Sequence, residues 1–340
     1  MTRRHGVPAT LRGVLLSTAL ALAACEGVPV AGGEQQAAMA ASPAPANQPT
    51  TTEPQSNQEQ RMQAEEIAAI EIWRTQRVAR LTAPDGWLTL VGLQWLGEGR
   101  NRLGSAADAE VHFPANAPAA LGVITRQGEA LTVEPAADVA LRAGDHPVKG
   151  PTPLASDAAG EPTVVSLGSI SFFVIKRGER WAVRIKDAES PVRTGFRGLD
   201  YYPVDGGWRV PARLESAPKA TTIPVPNILG EIEQAASPGS VVFQRDGHEV
   251  RLQAIDEGDG RLFLVFGDET NGKGTYGGGR FVYADPPAAG SQSVVVDFNQ
   301  AYNPPCVFTP FATCPLPPQG NRMPFPVAAG EKLWAGYHHH

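Results

Sequence analysis

Cysteine and histidine are scarce in this chain of 340 residues, which has three of the former and seven of the latter. Only His112, His146 and His248 lie between the basic leader and the terminal His338-His339-His340 run. A structural zinc site needs about four ligands. Cys306 and Cys314 have neither a second cysteine pair nor a neighbouring histidine, so no metal centre is expected. No Gly-x-Ser-x-Gly elbow is present, and a serine or cysteine triad lacks its parts. The segment Gly267-x-x-x-x-Gly272-Lys273 imitates a phosphate-binding loop. It carries Gly274 where Ser or Thr is needed, and Gly277-Gly278-Gly279 where a helix should start. No motif calls for a cofactor. Positive charge is also short, with 29 Lys and Arg against 35 Asp and Glu for a net charge of −6. The first 24 residues contribute three arginines and no acid, so the remainder stands at −9, a balance that disfavours nucleic acid. No repeat of fixed period points to a solenoid. Outside residues 11–22, themselves too few to span a bilayer, no long apolar run exists.

Glycine (36) and proline (31) make up about a fifth of the residues, which argues against a helical bundle and for a β-rich fold. The chain opens with Arg3, Arg4 and Arg12 ahead of the apolar run, which ends in Leu22-Ala23-Ala24-Cys25. Residues 1–24 therefore read as a signal peptide. The cysteine directly after small residues resembles the bacterial lipobox, which implies lipidation of Cys25 and a membrane partner. Glu26 at the next position resembles lipoproteins sent to the outer membrane, so a periplasmic or outer-membrane location in the cell envelope is expected. Residues 25–58 are Ala, Pro, Gln, Ser and Thr without apolar periodicity, the composition of a disordered tether.

Within 60–81, Ile67, Ile70, Trp73 and Leu81 recur at helical spacing, with Glu65, Glu66, Arg74, Arg77 and Arg80 largely elsewhere, which predicts an amphipathic helix. Pro84-Asp85-Gly86 stops it, and residues 87–96 read as a buried strand or a tight apolar turn. Short β-branched runs then recur at 163–167, 170–175, 181–185, 208–214, 221–225, 241–244, 250–255, 262–266 and 294–298. Asp246-Gly247 between two of them predicts a hairpin, because both central positions of the favoured turn need positive φ. The expected fold is mainly β: an N-terminal amphipathic helix, a small β-sandwich, and a second antiparallel β-sandwich or barrel. The boundary is expected near Pro191 to Gly198. That gives 59–195 as the helix plus N-terminal β-domain, 196–334 as the C-terminal β-domain and 335–340 as a tail. His112 lies in strand-like alternation and reads as a partly buried structural residue, while His146 and His248 sit beside turns and read as solvated.

Two resemblances follow from motifs. Gly99-Arg100-Asn101-Arg102-Leu103-Gly104-Ser105, with Asp108 and Val111-His112-Phe113-Pro114, resembles the opening of a forkhead-associated sandwich. That family holds phosphothreonine with an arginine where this chain has Ser105, so the resemblance implies a sandwich without phosphopeptide binding. The stretch Val296-Asp297-Phe298-Asn299-Gln300-Ala301-Tyr302-Asn303-Pro304-Pro305-Cys306, then Cys314-Pro315-Leu316-Pro317-Pro318, Asn321 and Ala329-Gly330-Glu331-Lys332, closely resembles a bacterial and archaeal family known as domain of unknown function 1684. Phe266, Asp268, Thr270, Gly272, Thr275-Tyr276, Gly279 and Arg280 fit it too, as do Trp87, Leu88, Trp95 and Leu96. The resemblance implies a shared fold and carries no activity with it.

The candidate site residues come from that stretch. Asp297 and Asn299 would share one face of a strand. Tyr276, Arg280 and Asp268 fall within one hairpin-sized segment, where an arginine with a carboxylate either anchors an anionic ligand or forms a structural pair. Glu331 is a candidate to pair with Asp297 or Asp268 for general acid and base work. Asp268, Asp297 and Glu331 are thus the catalytic candidates, and Tyr276, Arg280, Asn299 and Asn303 the ligand-binding ones. The alternative for the aspartates and asparagines is that they cap their own backbone. Cys306 and Cys314 are expected to form a disulfide, since export permits one and the nearest basic residue along the chain, Arg322, is too far to activate a thiol. The leading functional expectation is an envelope lipoprotein that recognises a small polar or glycan-like ligand. The alternatives are a carboxylate-based hydrolase and a structural or partner-binding envelope protein. Oligomeric state is not legible.

Overall fold

The computed structural model describes residues 55–337, with side chains from residue 60 onward. Cys25, the leader, nearly all of the tether and the last three histidines lie outside the described residues. The helix Gln55–Thr82 begins earlier than its apolar spacing predicts. Its inward stripe holds Ile70 and Leu81, with Trp73 and Arg74 half-buried, whereas Ile67 is exposed. Arg77 sits in the middle of that stripe, seven residues from Ile70 and four from Leu81, and is buried. The expectation that it faces solvent is therefore corrected, because helical position and not side-chain polarity decides where the group lies. No helix among the described residues is long and apolar enough to cross a membrane.

After the helix the fold is mainly β, in several antiparallel sheets, and none of them closes into a barrel. Residues 87–96 combine both expectations: a 3-10 turn, Trp87–Thr89, leads into the strand Leu90–Trp95. That strand flanks the hairpin of Ile170–Arg177 and Arg180–Asp187 in a six-stranded sheet. A five-stranded sheet built on Gly99–Gly104, Gly122–Gln127 and Ala130–Pro135 packs on it. Leu103, Ile124, Val133, Phe172, Val183 and Ile185 share the core between the two. His112 is exposed, contrary to expectation, because its two-residue strand turns Val111 inward and leaves the histidine outside.

In the C-terminal half, Arg209–Ser216, Gly239–Arg245, His248–Ala254 and Ser293–Asp297 form a four-stranded sheet. The hairpin at Asp246-Gly247 forms as expected, with φ of 51° and 78° at the two residues. The hairpin of Leu262–Phe266 and Arg280–Ala284 contributes to the same core, where Phe266, Phe298 and Val296 meet. A third cluster draws residues from either side of position 195. Leu81, Leu88 and Leu90 pack with Ile223, Val265, Phe281, Val307 and Phe308.

Candidate functional site

Two glycines set the buried polar centre of the C-terminal half. Gly279 has φ of 93°, and a Cβ there would fall 2.5 Å from the carbonyl oxygen of Phe266. Gly330, at φ of 73°, would place a Cβ 2.3 Å from that of Ala301. Only glycine allows both approaches. Each glycine delivers the charged residue that follows it, Arg280 and Glu331, into the interior.

The Arg280 guanidinium donates to Asp268 Oδ2 at 3.0 Å, with both side chains fully buried. It also donates to the carbonyls of Val327 (2.7 Å), Ala329 and Glu331 (3.2 Å). Burial lowers its pKa, and the Asp268 charge opposes that shift. Asp268 Oδ1 accepts from the Thr270 amide and hydroxyl and from the Val327 amide. Glu331 is equally engaged: Oε1 accepts from Arg77 Nε at 2.8 Å, and Oε2 from the Asn303 amide at 2.8 Å. Arg77 adds a bond to the Asn303 carbonyl at 2.9 Å and lies 4.6 Å over the Tyr302 ring. Asn303 donates to the Lys332 carbonyl. Paired and hydrogen-bonded in this way, buried charges are tolerated.

Asp297 and Asn299 do not share a strand face, because the strand ends at Asp297 and a 3-10 turn, Phe298–Gln300, follows. Asp297 Oδ1 caps that turn, accepting from the Asn299 amide at 3.0 Å and side chain at 2.9 Å. Burial raises the Asp297 carboxyl above its usual range. Asn299 in turn clasps the Asp205 backbone, donating to its carbonyl at 2.9 Å and accepting from its amide at 3.1 Å. Tyr276 is buried in the third cluster with its ring edge-on to Tyr337 at 5.6 Å. Thus Arg280 joins Asp268, and Asn303 joins Glu331, while Asp297 bonds neither of the other two acids. Among the described residues no group of His, Cys, Asp and Glu is placed to hold a metal.

Cys306 and Cys314 lie together as free, buried thiols, without the disulfide bond the sequence suggests. The Cys306 amide donates to Cys314 Sγ at 3.1 Å. The Cys314 thiol as donor lowers the Cys306 pKa, and burial raises that of Cys314. Arg184, from the N-terminal β part, is close enough to act on both thiols, a neighbour that chain distance conceals.

The hollows lie elsewhere. The larger of two neighbouring ones, about 780 Å³, is lined by Trp73, Arg77, Arg80, Trp87, Lys186 and Arg261, with Tyr283 and Tyr302. A smaller one of about 350 Å³ repeats Arg77, Trp87, Tyr283 and Tyr302 and adds Arg177, Arg184, Glu257, Phe263 and Cys314. Sharing four residues, the two adjoin as one cleft. Its aromatic wall is ordered: Phe263 stacks on Tyr283 with ring centres 4.8 Å apart, and Tyr283 on Tyr302 at 6.3 Å and 12°. Burial pushes the Tyr302 hydroxyl up to about 12 and raises that of Tyr283, which donates to Glu257. None of the seven catalytic and ligand-binding candidates lines either hollow.

The fold and its centre define a β-rich scaffold braced by two buried arginine–carboxylate pairs beside an aromatic, cationic cleft. Residues 194–332 match the model of a family described as protein of unknown function, DUF1684, in agreement with the resemblance carried by the C-terminal motifs. The match begins after the Trp87–Leu96 stretch. No curated protein matches the chain. It is similar to an uncharacterized protein of Haloarcula marismortui solved by NMR in solution, at 28% identity over 41% of this chain and 78% of that one, with a TM-score of 0.35.

Proposed function

We propose that this is a cell-envelope lipoprotein, anchored through Cys25, that binds a small, polar, ring-bearing ligand such as a sugar in the cleft between Trp87 and the Tyr283–Tyr302 stack. The observation that carries the reading is the cleft itself. Its volume falls in the range of small-molecule pockets, and flat aromatic faces interleaved with fixed donors are what such ligands require. The sequence candidates support this cleft from behind: Glu331 and Asn303 hold Arg77, and Arg77 lies over Tyr302. Hydrolysis by paired carboxylates has less to stand on, since Asp268 and Glu331 are each bound to an arginine in the interior. In an oxidising compartment, whose disulfide oxidants take up the two electrons and two protons, the adjacent thiols of Cys306 and Cys314 close to a disulfide and fix the wall of the smaller hollow.

Calorimetric titration of the full chain with a panel of neutral and acidic monosaccharides and small aromatic acids tests the cleft. At least one member should bind, and Trp87→Ala should weaken it by about tenfold or more, as expected for losing one stacking face of 1 to 2 kcal/mol. Absence of binding by every member, or binding that Trp87→Ala leaves unchanged, would overturn the reading.

A further inference from the structure

Arg184 is the least explained charge in the molecule. It lies on Arg180–Asp187, the strand at the centre of three in its sheet, and is 6% exposed. The other buried arginines have carboxylates: Arg77 has Glu331 and Arg280 has Asp268. Arg184 has none. One bond to the Thr313 hydroxyl at 3.3 Å is its hydrogen bond, and its Nε is buried with no partner. The smaller hollow it lines also holds the cation Arg177, itself paired with Asp157 at 2.7 Å, and Glu257, which accepts from the Tyr283 hydroxyl. Burial and Arg177 pull the Arg184 pKa down to about 10 against the opposing influence of Asp157, so the guanidinium remains charged at neutral pH with no carboxylate bonded to it.

An unmatched buried cation costs several kcal/mol and persists where a ligand supplies the missing charge. The ring of Trp87 lies 5.3 Å from the guanidinium carbon, which places a flat face beside the charge. The planar fork of arginine fits a carboxylate through two parallel bonds.

We propose that the cleft takes a cyclic carboxylate, its acid group received by Arg184 in the smaller hollow and its ring lying along Trp87 and the Tyr283–Tyr302 stack. This rests on the cleft reading above and adds the charge of the ligand. Two sources share that chemistry, sugar acids and aromatic acids. The donor-rich larger hollow, with Arg80, Gln76 and Gln300, accommodates the hydroxyls of the first.

The test pairs galacturonate with galactose and 4-hydroxybenzoate with phenol, titrated against the wild-type chain and Arg184→Gln. An acid should bind about ten- to a hundredfold tighter than its neutral partner, the range of a hydrogen bond to a charged group. Arg184→Gln should erase that preference while leaving the neutral partner's affinity within about twofold. Whichever acid gains more names the source. The ligand-free Arg184→Gln variant should also melt no lower than wild type, because it removes an unmatched charge. Neutral and acidic partners binding equally would overturn the carboxylate and leave the cleft standing. Preference that survives Arg184→Gln, or a fall in its melting point by several degrees, would overturn the role of Arg184. Failure of all four compounds, with the wider panel also silent, overturns the cleft reading and the carboxylate with it.

Discussion

Replacing Asp268 with Asn removes one charge from the most enclosed ion pair of the molecule and changes almost nothing else. The oxygen that accepts from Thr270 and Val327 is kept, but an amide now faces Arg280 where Oδ2 stood 3.0 Å away. Arg280 retains three backbone carbonyls, which orient it without cancelling its charge. Both side chains are excluded from solvent, so water cannot take over. Breaking a buried pair from one side costs about 3 to 5 kcal/mol. At about 2 to 4 °C per kcal/mol for a unit of this size, the melting temperature of Asp268→Asn should fall by roughly 6 to 20 °C. Differential scanning calorimetry at neutral pH measures it directly. In a double-mutant cycle with Arg280→Met, the double variant should lose less than the two single losses together, since the second change removes the stranded charge. A carboxylate kept for catalysis behaves the other way, because such residues are tolerated at a cost to stability. A fall of less than about 3 °C, or a gain, would refute the structural assignment of Asp268.

Asp297→Asn should act in the opposite direction. The folded state raises this carboxyl, so it binds its proton more tightly than the unfolded chain does, and stability is lost as pH rises from the ordinary aspartate range upward. With both bonds from Asn299 retained, the variant should melt at or above wild type near pH 7, the difference vanishing near pH 3; a lower melting point at pH 7 would count against burial as the controlling influence. For the anchor, Cys25→Ala should move the protein from membrane to soluble fractions, and alkylation of the envelope-recovered wild type before reduction should leave Cys306 and Cys314 unlabelled. A variant still on the membrane, or two labelled thiols, would contradict those two readings.

Much of the β framework is legible because its signals are local. The run at 262–266 matches Leu262–Phe266 to the residue, and Asp246-Gly247 names its own turn. Elsewhere the pattern is silent for physical reasons. Ile232–Ala236 is an almost wholly exposed strand with little apolar alternation, and Arg280–Ala284 begins on a charge whose partners are supplied by loops. Arg77 and Glu331 are 254 positions apart, and no spacing rule connects them. Arg184 is hidden differently. From Trp181 to Ile185 every residue is buried, so alternation does not show which face meets a core and which meets a hollow. The site motifs mark residues whose side chains the interior holds in place. Asp297 caps the turn that follows it, Asp268 divides itself between the Thr270 amide and Arg280, and Glu331 is tied to Arg77 and the Asn303 amide.

The same contacts explain why a polar signature sits so close to a cleft it does not line. Arg77 leaves a helix that also reaches the C-terminal half through the bond of Arg74 to the Tyr202 carbonyl at 2.9 Å and through apolar contacts, which fix position less sharply than bonds do. Its Nε and Nη2 are tied to Glu331 and Asn303 at 2.8 and 2.9 Å, so the guanidinium plane is fixed in two directions. That plane lies over Tyr302, whose backbone pairs with Phe281 through two bonds of 2.8 and 2.9 Å and whose ring meets Phe281 edge-on at 5.7 Å. Tyr302 therefore cannot rotate out of the wall without breaking a cation–π contact, and the wall cannot shift without disturbing the buried pair behind it. Glu331 is itself fixed by the positive-φ glycine before it and by its amide bond to Ala301 at 2.8 Å. A chain of rigid contacts thus runs from one glycine to one aromatic face. Preorganisation of that face lowers the ordering cost of binding a flat ligand, and it is the chemistry for which polar residues held in place by buried bonds are suited.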